Sequence, residues 1–311
     1  MSDFFSGLAD VLTSEPAYIS AAAVAALLAF GACGEWIAER SGTINISVEA
    51  MMLAGAFGAT MGYHLTERFT VGAVFGIGAG LLVAICQSEF SHRLTADQFV
   101  VGLSLNILVL GLAGYLEDVI KPNTKRAAPV DIPFLSEIPL VGEALFGQPW
   151  LFYLIYPLVP VCWWLVYRTG WGLEVRAVGG SPQSADVSGI DVNRRRRQSI
   201  YVVGMTSGLG GAYLSLALVG SFEDDIVGGR GFIAMAAVVF GGWTLRGSIA
   251  GCVLFGTVLS FRLSLPVLGY KINNELLTAL PAIAPIIGMA VFAHRVRAPA
   301  ALAQPFIRGL R

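Results

Sequence analysis

Long stretches without a single charged residue alternate with short polar connections along this chain. Uncharged runs cover 16–34, 50–66, 69–88, 98–116, 144–167, 198–222 and 276–293, and most approach the ~20 residues a helix needs to cross hydrocarbon. Between Phe222 and Glu275 the pattern shortens, with runs at 231–245 and 247–261 separated only by Arg246. Short, glycine-interrupted apolar segments predict broken or re-entrant helices. The runs are continuously apolar and rich in Leu, Ala, Val and Gly, whereas the strands of a membrane barrel alternate over ~10 residues. The pattern therefore predicts an all-α, polytopic integral membrane protein with roughly 8–10 transmembrane or half-membrane helices and a possible inverted repeat. It divides into an N-terminal segment 1–15, one transmembrane domain 16–293 and a tail 294–311.

Composition excludes the soluble alternative. A chain of 311 residues would ordinarily make about two soluble domains, but charged residues are 13% and hydrophobic residues 55%, with a mean hydropathy of +0.70. That charged share is about half of the roughly 25% usual for a soluble domain. The 20 Lys and Arg against 21 Asp and Glu leave a net charge of -1, so no basic field recruits nucleic acid, and the surrounding partner is membrane lipid. Cys33, Cys86, Cys162 and Cys252 lie far apart within apolar stretches and read as small buried hydrophobes. His64, His92 and His294 fall at or near the ends of apolar runs, where wet helix ends are expected and no metal is. The first fifteen residues carry Asp3, Asp10 and Glu15 but no Lys or Arg. A cleavable signal peptide needs a basic start, so the first span is expected to remain in place.

The position of charge, not its sum, sets orientation. Arg168, Arg176 and Arg194 to Arg197 crowd one connection, the tail holds Arg295, Arg297, Arg308 and Arg311, and a short loop holds His92 and Arg93. The positive-inside rule places all three segments in the cytoplasm and the 117–143 segment outside. Lys121, Lys125 and Arg126 run against that rule, although Glu117, Asp118, Asp131, Glu137 and Glu143 accompany them. Residues 35–50 leave the N-terminal side open. A loose internal similarity joins Glu39-Arg40-Ser41-Gly42-Thr43-Ile44 to Gly229-Arg230-Gly231-Phe232-Ile233, each opening a small-residue apolar run. An inverted repeat would leave such a trace, and two independent helix starts would too.

An ionisable side chain within a span costs roughly 2.5–3.5 kcal/mol on insertion scales, so it is expected to face the bundle interior or a watery cavity. Glu49 is the clearest case. It follows Asn45 by four residues, a spacing that puts both on one helix face. Asn106 interrupts 98–116 with Ser104 nearby, where interhelical hydrogen bonding is as good a reading as solute contact. The acidic, glycine-rich stretch from Gly220 to Phe232, which includes Phe222, reads as an element of the outer mouth, with a solvated turn as the alternative. Gly76 to Gly80 and Gly204 to Gly211 are small-residue stretches that allow helices to pack closely. The sequence contains no phosphate-binding Gly-x-x-x-x-Gly-Lys-Ser/Thr loop, no Ser/His/Asp set and no His-Glu-x-x-His. The chain is expected to be no enzyme and to hold no cofactor.

The most specific feature is Trp171 to Val192. Pro182 after Ser181 opens a short helix, Ala185 to Val187 continues it and Gly189 ends it. This segment resembles the inner-membrane permease subunits of ABC importers, in the family that handles branched-chain amino acids, simple sugars and nucleosides. Gly172-x-x-x-Arg176-Ala177-x-Gly179-x-x-x-x-x-Ala185, followed by Gly189-Ile190, is similar to that family's coupling helix, with Ser184 where a second alanine is frequent. Gly34 through Met52 looks like its first signature, closest to the nucleoside and simple-sugar branch. Asp97-Gln98 through Asn106 is similar to a second, and Gly229 through Trp243 to a third. The blocks span most of residues 30–262, while the 121–148 loop looks long and Arg194 to Arg197 unusually basic for the family.

The resemblance implies an ATP-driven importer in a bacterial-type plasma (inner) membrane. This chain would be one permease of a pair, the second a different chain, working with an ABC ATPase that binds the ATP and an extracytoplasmic substrate-binding protein. The coupling segment 171–192 would carry Glu174, Arg176, Pro182, Ala185, Gly189 and Ile190 as ATPase-coupling residues. Asn45, Glu49, Asn106 and Phe222 are the candidates for the solute pathway. Few charges lie in the spans, which favours a neutral polar solute such as a nucleoside or a simple sugar over a strongly anionic one, with branched-chain amino acids as the family's further alternative; the resemblance is closest to the nucleoside branch. A secondary transporter with Glu49 as its proton or sodium site is the rival, and the coupling segment weighs against it.

Overall fold

In a computed structural model, residues 14–267, 283 and 298–307 are described, with side chains of 261–267 not described. The described residues form helices joined by turns, and the only β pairing among them is an isolated Pro129–Pro149 bridge. His294 and the 276–293 run, apart from residue 283, lie outside the described residues.

The bundle is built around α1 (Glu15–Arg40), which is buried on all sides from Ala23 to Glu39. A helix apolar all round belongs in a core, and Leu27, Leu28, Phe30, Trp36 and Ile37 are fully buried. α2 (Val48–Thr66), α3 (Phe69–Ser88) and α9 (Val192–Tyr213) pack against one another, and α9 also packs along α1. They meet at glycines. A Cβ added to Gly55 would sit 2.5 Å from Gly208, one on Gly80 would sit 2.4 Å from the Gly204 carbonyl, and one on Gly211 would sit 2.0 Å from the Met52 carbonyl. Within lipid, where apolar burial gives little drive, such backbone-to-backbone approach supplies the association energy through dispersion. The two small-residue stretches thus pack as expected.

α4 (Gln98–Ile120) shows the opposite pattern. Asp97 caps it by accepting from the Phe99 and Val100 amides, and it ends at Lys121 in a left-handed conformation (φ 48°), just before Pro122. Only Gln98, Gly102, Leu105, Val109 and Ala113 are buried, a single stripe at helical spacing. Leu103, Ile107, Leu108 and Tyr115 face outward.

Two expected spans differ from the observed elements. The 144–167 run is not one helix: α5 (Gly142–Phe146) is a single turn, and α6 (Ile155–Arg168) follows a 3-10 turn at Phe152–Leu154. Its first part pairs back into the preceding loop, with Val130 donating to the Gln148 carbonyl and Ile132 to that of Phe146, and Pro149 cannot continue a helix. The 198–222 span starts earlier, at Val192, and ends in a π-helical turn at Leu214–Val219. Arg194 to Arg197 are therefore helical, and Arg196 is fully buried rather than in a solvated loop. The stretch after Phe222 is broken as expected: α10 (Arg230–Phe240) spans eleven residues and turns at Gly241–Thr244 into α11 (Leu245–Val267).

Smaller expectations are also corrected. Cys86 is exposed, while Cys33, Cys162 and Cys252 are buried. His92 is not at a wet helix end but buried, its Nε2 3.1 Å from the Thr43 hydroxyl. Arg126 donates to the Ala217 carbonyl at 3.0 Å and lies beside the π-helical turn. Its charge is used on a helix end, which explains its presence in a loop assigned to the outside.

Candidate functional site

Two polar centres stand out in this apolar bundle. The first surrounds Glu49, in the first turn of α2 and buried. Its carboxylate accepts from the Gly229 and Gly231 amides, both at 2.7 Å. These are the free N–H groups at the start of α10, where the helix dipole favours an anion. Gly229 adopts φ 81°, a left-handed conformation suited to glycine, and a Cβ on Gly231 would lie 2.7 Å from Glu49 backbone atoms. The half-helix and the carboxylate are thus matched through glycine.

Asn106, from α4, accepts from the Ala50 amide at 2.9 Å and donates to the Ile46 carbonyl at 3.1 Å. It spans the free backbone groups where α2 begins. Glu49, Asn106, Asp225 and Phe232 line a cavity of about 260 Å3. Asn45 is not on the helix face of Glu49, because α2 starts only at Val48. It lies in the preceding turn, where its Oδ1 accepts from the Ser47 hydroxyl at 2.6 Å and its amide donates to Glu35 at 3.2 Å. Phe222 sits apart from this cavity, edge-on to Phe57 with ring centroids 5.3 Å apart.

The second centre is the segment 171–192. Thr169 caps α7 (Gly170–Gly180) and Ser181 caps α8 (Pro182–Val187), accepting from the Gly172 and Ser184 amides respectively. Gly189, at φ 86°, ends α8. Pro182 and Ala185 are buried, Ala185 packs with Val178 and Val192, and half-buried Ile190 joins them. Glu174 is ion-paired to Arg195. The Arg176 guanidinium lies 5.2 Å over the Tyr167 ring. Val187, by contrast, is 89% exposed. Beside α8 lies a cavity of about 560 Å3 whose lining includes Asp186, Ile190, Arg197, His92 and Phe306. Three segments assigned to one side of the membrane by their arginines therefore meet on one face of the protein.

Residues 17–290 match the family described as branched-chain amino acid transport system permease components. The chain belongs to this family. NupQ of Bacillus subtilis, a guanosine ABC transporter permease protein, is 32% identical over 92% of this chain and 95% of its own. NupC of Lactococcus lactis, a nucleoside ABC transporter permease protein, is 31% identical over 88% of this chain and 91% of its own. A Haloferax volcanii protein with the provisional name of a glucose ABC transporter permease is 33% identical over 85% of this chain and 80% of its own. The protein is thus a membrane permease component and not an enzyme.

Sequence reasoning missed two carboxylates of this permease. The uncharged run stops at residue 34, before Glu35 and Glu39, but α1 continues through both and buries them completely or nearly so. Glu39 accepts from the Trp243 indole at the α10–α11 turn, and Trp36 donates to the Trp243 carbonyl at 2.9 Å. Their four-residue spacing at the edge of an apolar run was the signal, since such a pair shares one face of a continuing helix. Buried Arg196 gave none, hidden among three other arginines.

Proposed function

We propose that this permease moves nucleosides through an ATP-driven importer, as one half of a two-chain pathway in a bacterial-type inner membrane. An ABC ATPase docks on α8 from the cytoplasm and supplies the ATP site, an external binding protein delivers the solute, and the second permease is a different chain. The observation that carries the reading is α8 itself. It is a short helix capped at both ends, anchored by Pro182 and Ala185 beneath, and it presents Val187 outward. A large exposed apolar side chain on a fixed two-turn helix fits a protein partner. The nucleoside assignment draws on the NupQ and NupC names, together with the near end-to-end match. Glu174 and Arg176 are engaged within the chain, Glu174 bracing α7 against α9 through Arg195 and Arg176 bracing α7 against α6 through Tyr167, behind the docking helix.

The cavity beside Glu49 and Asn106 is the solute's passage in this reading. The Glu49 charge is offset by two amides, which suits an uncharged solute. Transport follows from the different affinities of two conformations, with no covalent step in this chain.

The test is uptake of radiolabelled guanosine, with ribose, glucose and leucine in parallel, in cells expressing the permease and its partner subunits, with and without Val187→Asp. Guanosine uptake that Val187→Asp abolishes, together with ATPase co-purification, is the expected result. Uptake of a sugar or leucine instead overturns the substrate class. Uptake that persists without the ATPase overturns the ABC reading in favour of a secondary transporter.

A further inference from the structure

The tail segment 298–307 ends against the coupling segment, and nothing in the proposed function uses it. Its anchor is Arg196, a fully buried cation whose guanidinium meets no carboxylate among the described residues. It donates to three carbonyls from two distant parts of the chain: Ser41 at 3.3 Å, Ala301 at 3.4 Å and Gln304 at 2.7 Å. A buried charge is costly unless its donors are satisfied, and the planar fork of arginine suits several fixed acceptors at once. An apolar residue of similar volume would stabilise a simple core at lower cost. The side chain thus works as a joint between segments.

The backbone makes the same connection. Ala301 donates to the Gly179 carbonyl at 3.1 Å and Ala303 to that of Gly42 at 3.0 Å. Phe306 packs with Ile190 against Val178, Ala185 and Val192, the apolar cluster under α8. One short strap therefore touches the end of α7, the base of α8 and the turn leaving α1. From that turn, Glu39 leads to Trp243 and the α10–α11 corner, and Glu35 leads to Asn45 just before Glu49.

We propose that residues 298–307, held by Arg196, are a strap that transmits displacement of α8 to α1 and so to the solute passage. Arg196 is a positioning residue in this scheme and touches neither ATPase nor solute. The proposal rests on the reading of α8 as the ATPase dock. A structural clamp alone would affect stability, whereas a transmitting strap sets how much solute moves per ATP hydrolysed.

The experiment reconstitutes the complete transporter in liposomes and measures guanosine uptake and ATP hydrolysis together. The variants are a stop after residue 297, Arg196→Gln in the full-length chain, and both combined. Each is expected to retain the ATPase and its hydrolysis within about twofold, while uptake per ATP falls roughly tenfold, within the range for coupling networks. The combination is no worse than either alone, because both cut one link. Uptake per ATP equal to the parent in both single variants overturns the strap and leaves the docking reading intact. Parallel loss of uptake and hydrolysis in normally inserted Arg196→Gln protein overturns it as well. A parent complex that binds no ATPase, or that is insensitive to Val187→Asp, overturns the docking reading and the strap with it.

Discussion

Glu49 and Arg196 pose the same physical problem with opposite sign. Each is an ionised type of side chain buried in an apolar bundle, and the hydrogen bonds that hold each come from or go to backbone groups. At Glu49 the counter-charge is the amide end of α10. At Arg196 it is a set of carbonyls drawn from the α1 turn and the tail. The difference lies in what the backbone partner belongs to. A helix start is a preformed, rigid donor, so the anion site is fixed once α10 folds. Carbonyls from separate segments must be gathered, so the cation site exists only when the segments meet. The bundle thus fixes its interior with an anion and joins separate segments at one face with a cation.

The largest expected effect breaks the cation end sterically. In Gly179→Ala the new Cβ would lie 2.0 Å from the Arg40 carbonyl, a backbone atom that cannot yield locally. The variant is expected to lose more than about 4 kcal/mol and fail to give a monodisperse peak in detergent. A well-behaved protein would show that the α7–α1 contact is loose. The anion end is next. Glu49→Ala strands two buried amides and is expected to cost about 2–3 kcal/mol in thermal unfolding of the purified protein. Glu49→Gln restores one acceptor and should recover roughly half of that. Equal stability of Gln and Glu at this position would show that charge plays no part there. The smallest effect belongs to Asn106→Leu, which removes one interhelical link and is expected to cost about 0.6–1.7 kcal/mol, with Glu49 still seated on α10.

Much of this arrangement was readable from residue order. Uncharged runs located α1, α3 and α4, and the shortened runs after Phe222 predicted the break between α10 and α11. Pro182 and Gly189 placed both ends of α8 to within two residues. The errors at the charged span ends have one common cause. Charge marks the end of a span in the pattern, yet Glu39 and Arg196 are carried inside helices because distant indole or backbone groups satisfy them, and Glu35 is carried with one oxygen accepting from the nearby Asn45 backbone amide. Partners such as Trp243 and Gln304 lie more than a hundred residues away, and local pattern cannot supply them. Asn45 failed for a local reason: spacing of four residues marks a shared face only within a helix, and α2 begins three residues later. The cavity beside Glu49 also recruits Asp225 and Phe232, which only the fold brings there.

The glycine contacts among α2, α3 and α9 have a mechanical meaning. Where one helix's backbone rests directly on another's, as at Gly55, Gly80 and Gly211, there is no cushion of flexible side chains to take up sliding. Close-packed surfaces of this kind are keyed, not lubricated. In the proposed transport cycle these three helices would be the stator, turning or tilting as a block. The swing has to be taken up by elements with a free outer face, and α4, held along a single stripe, is the one best hung to serve as the rotor.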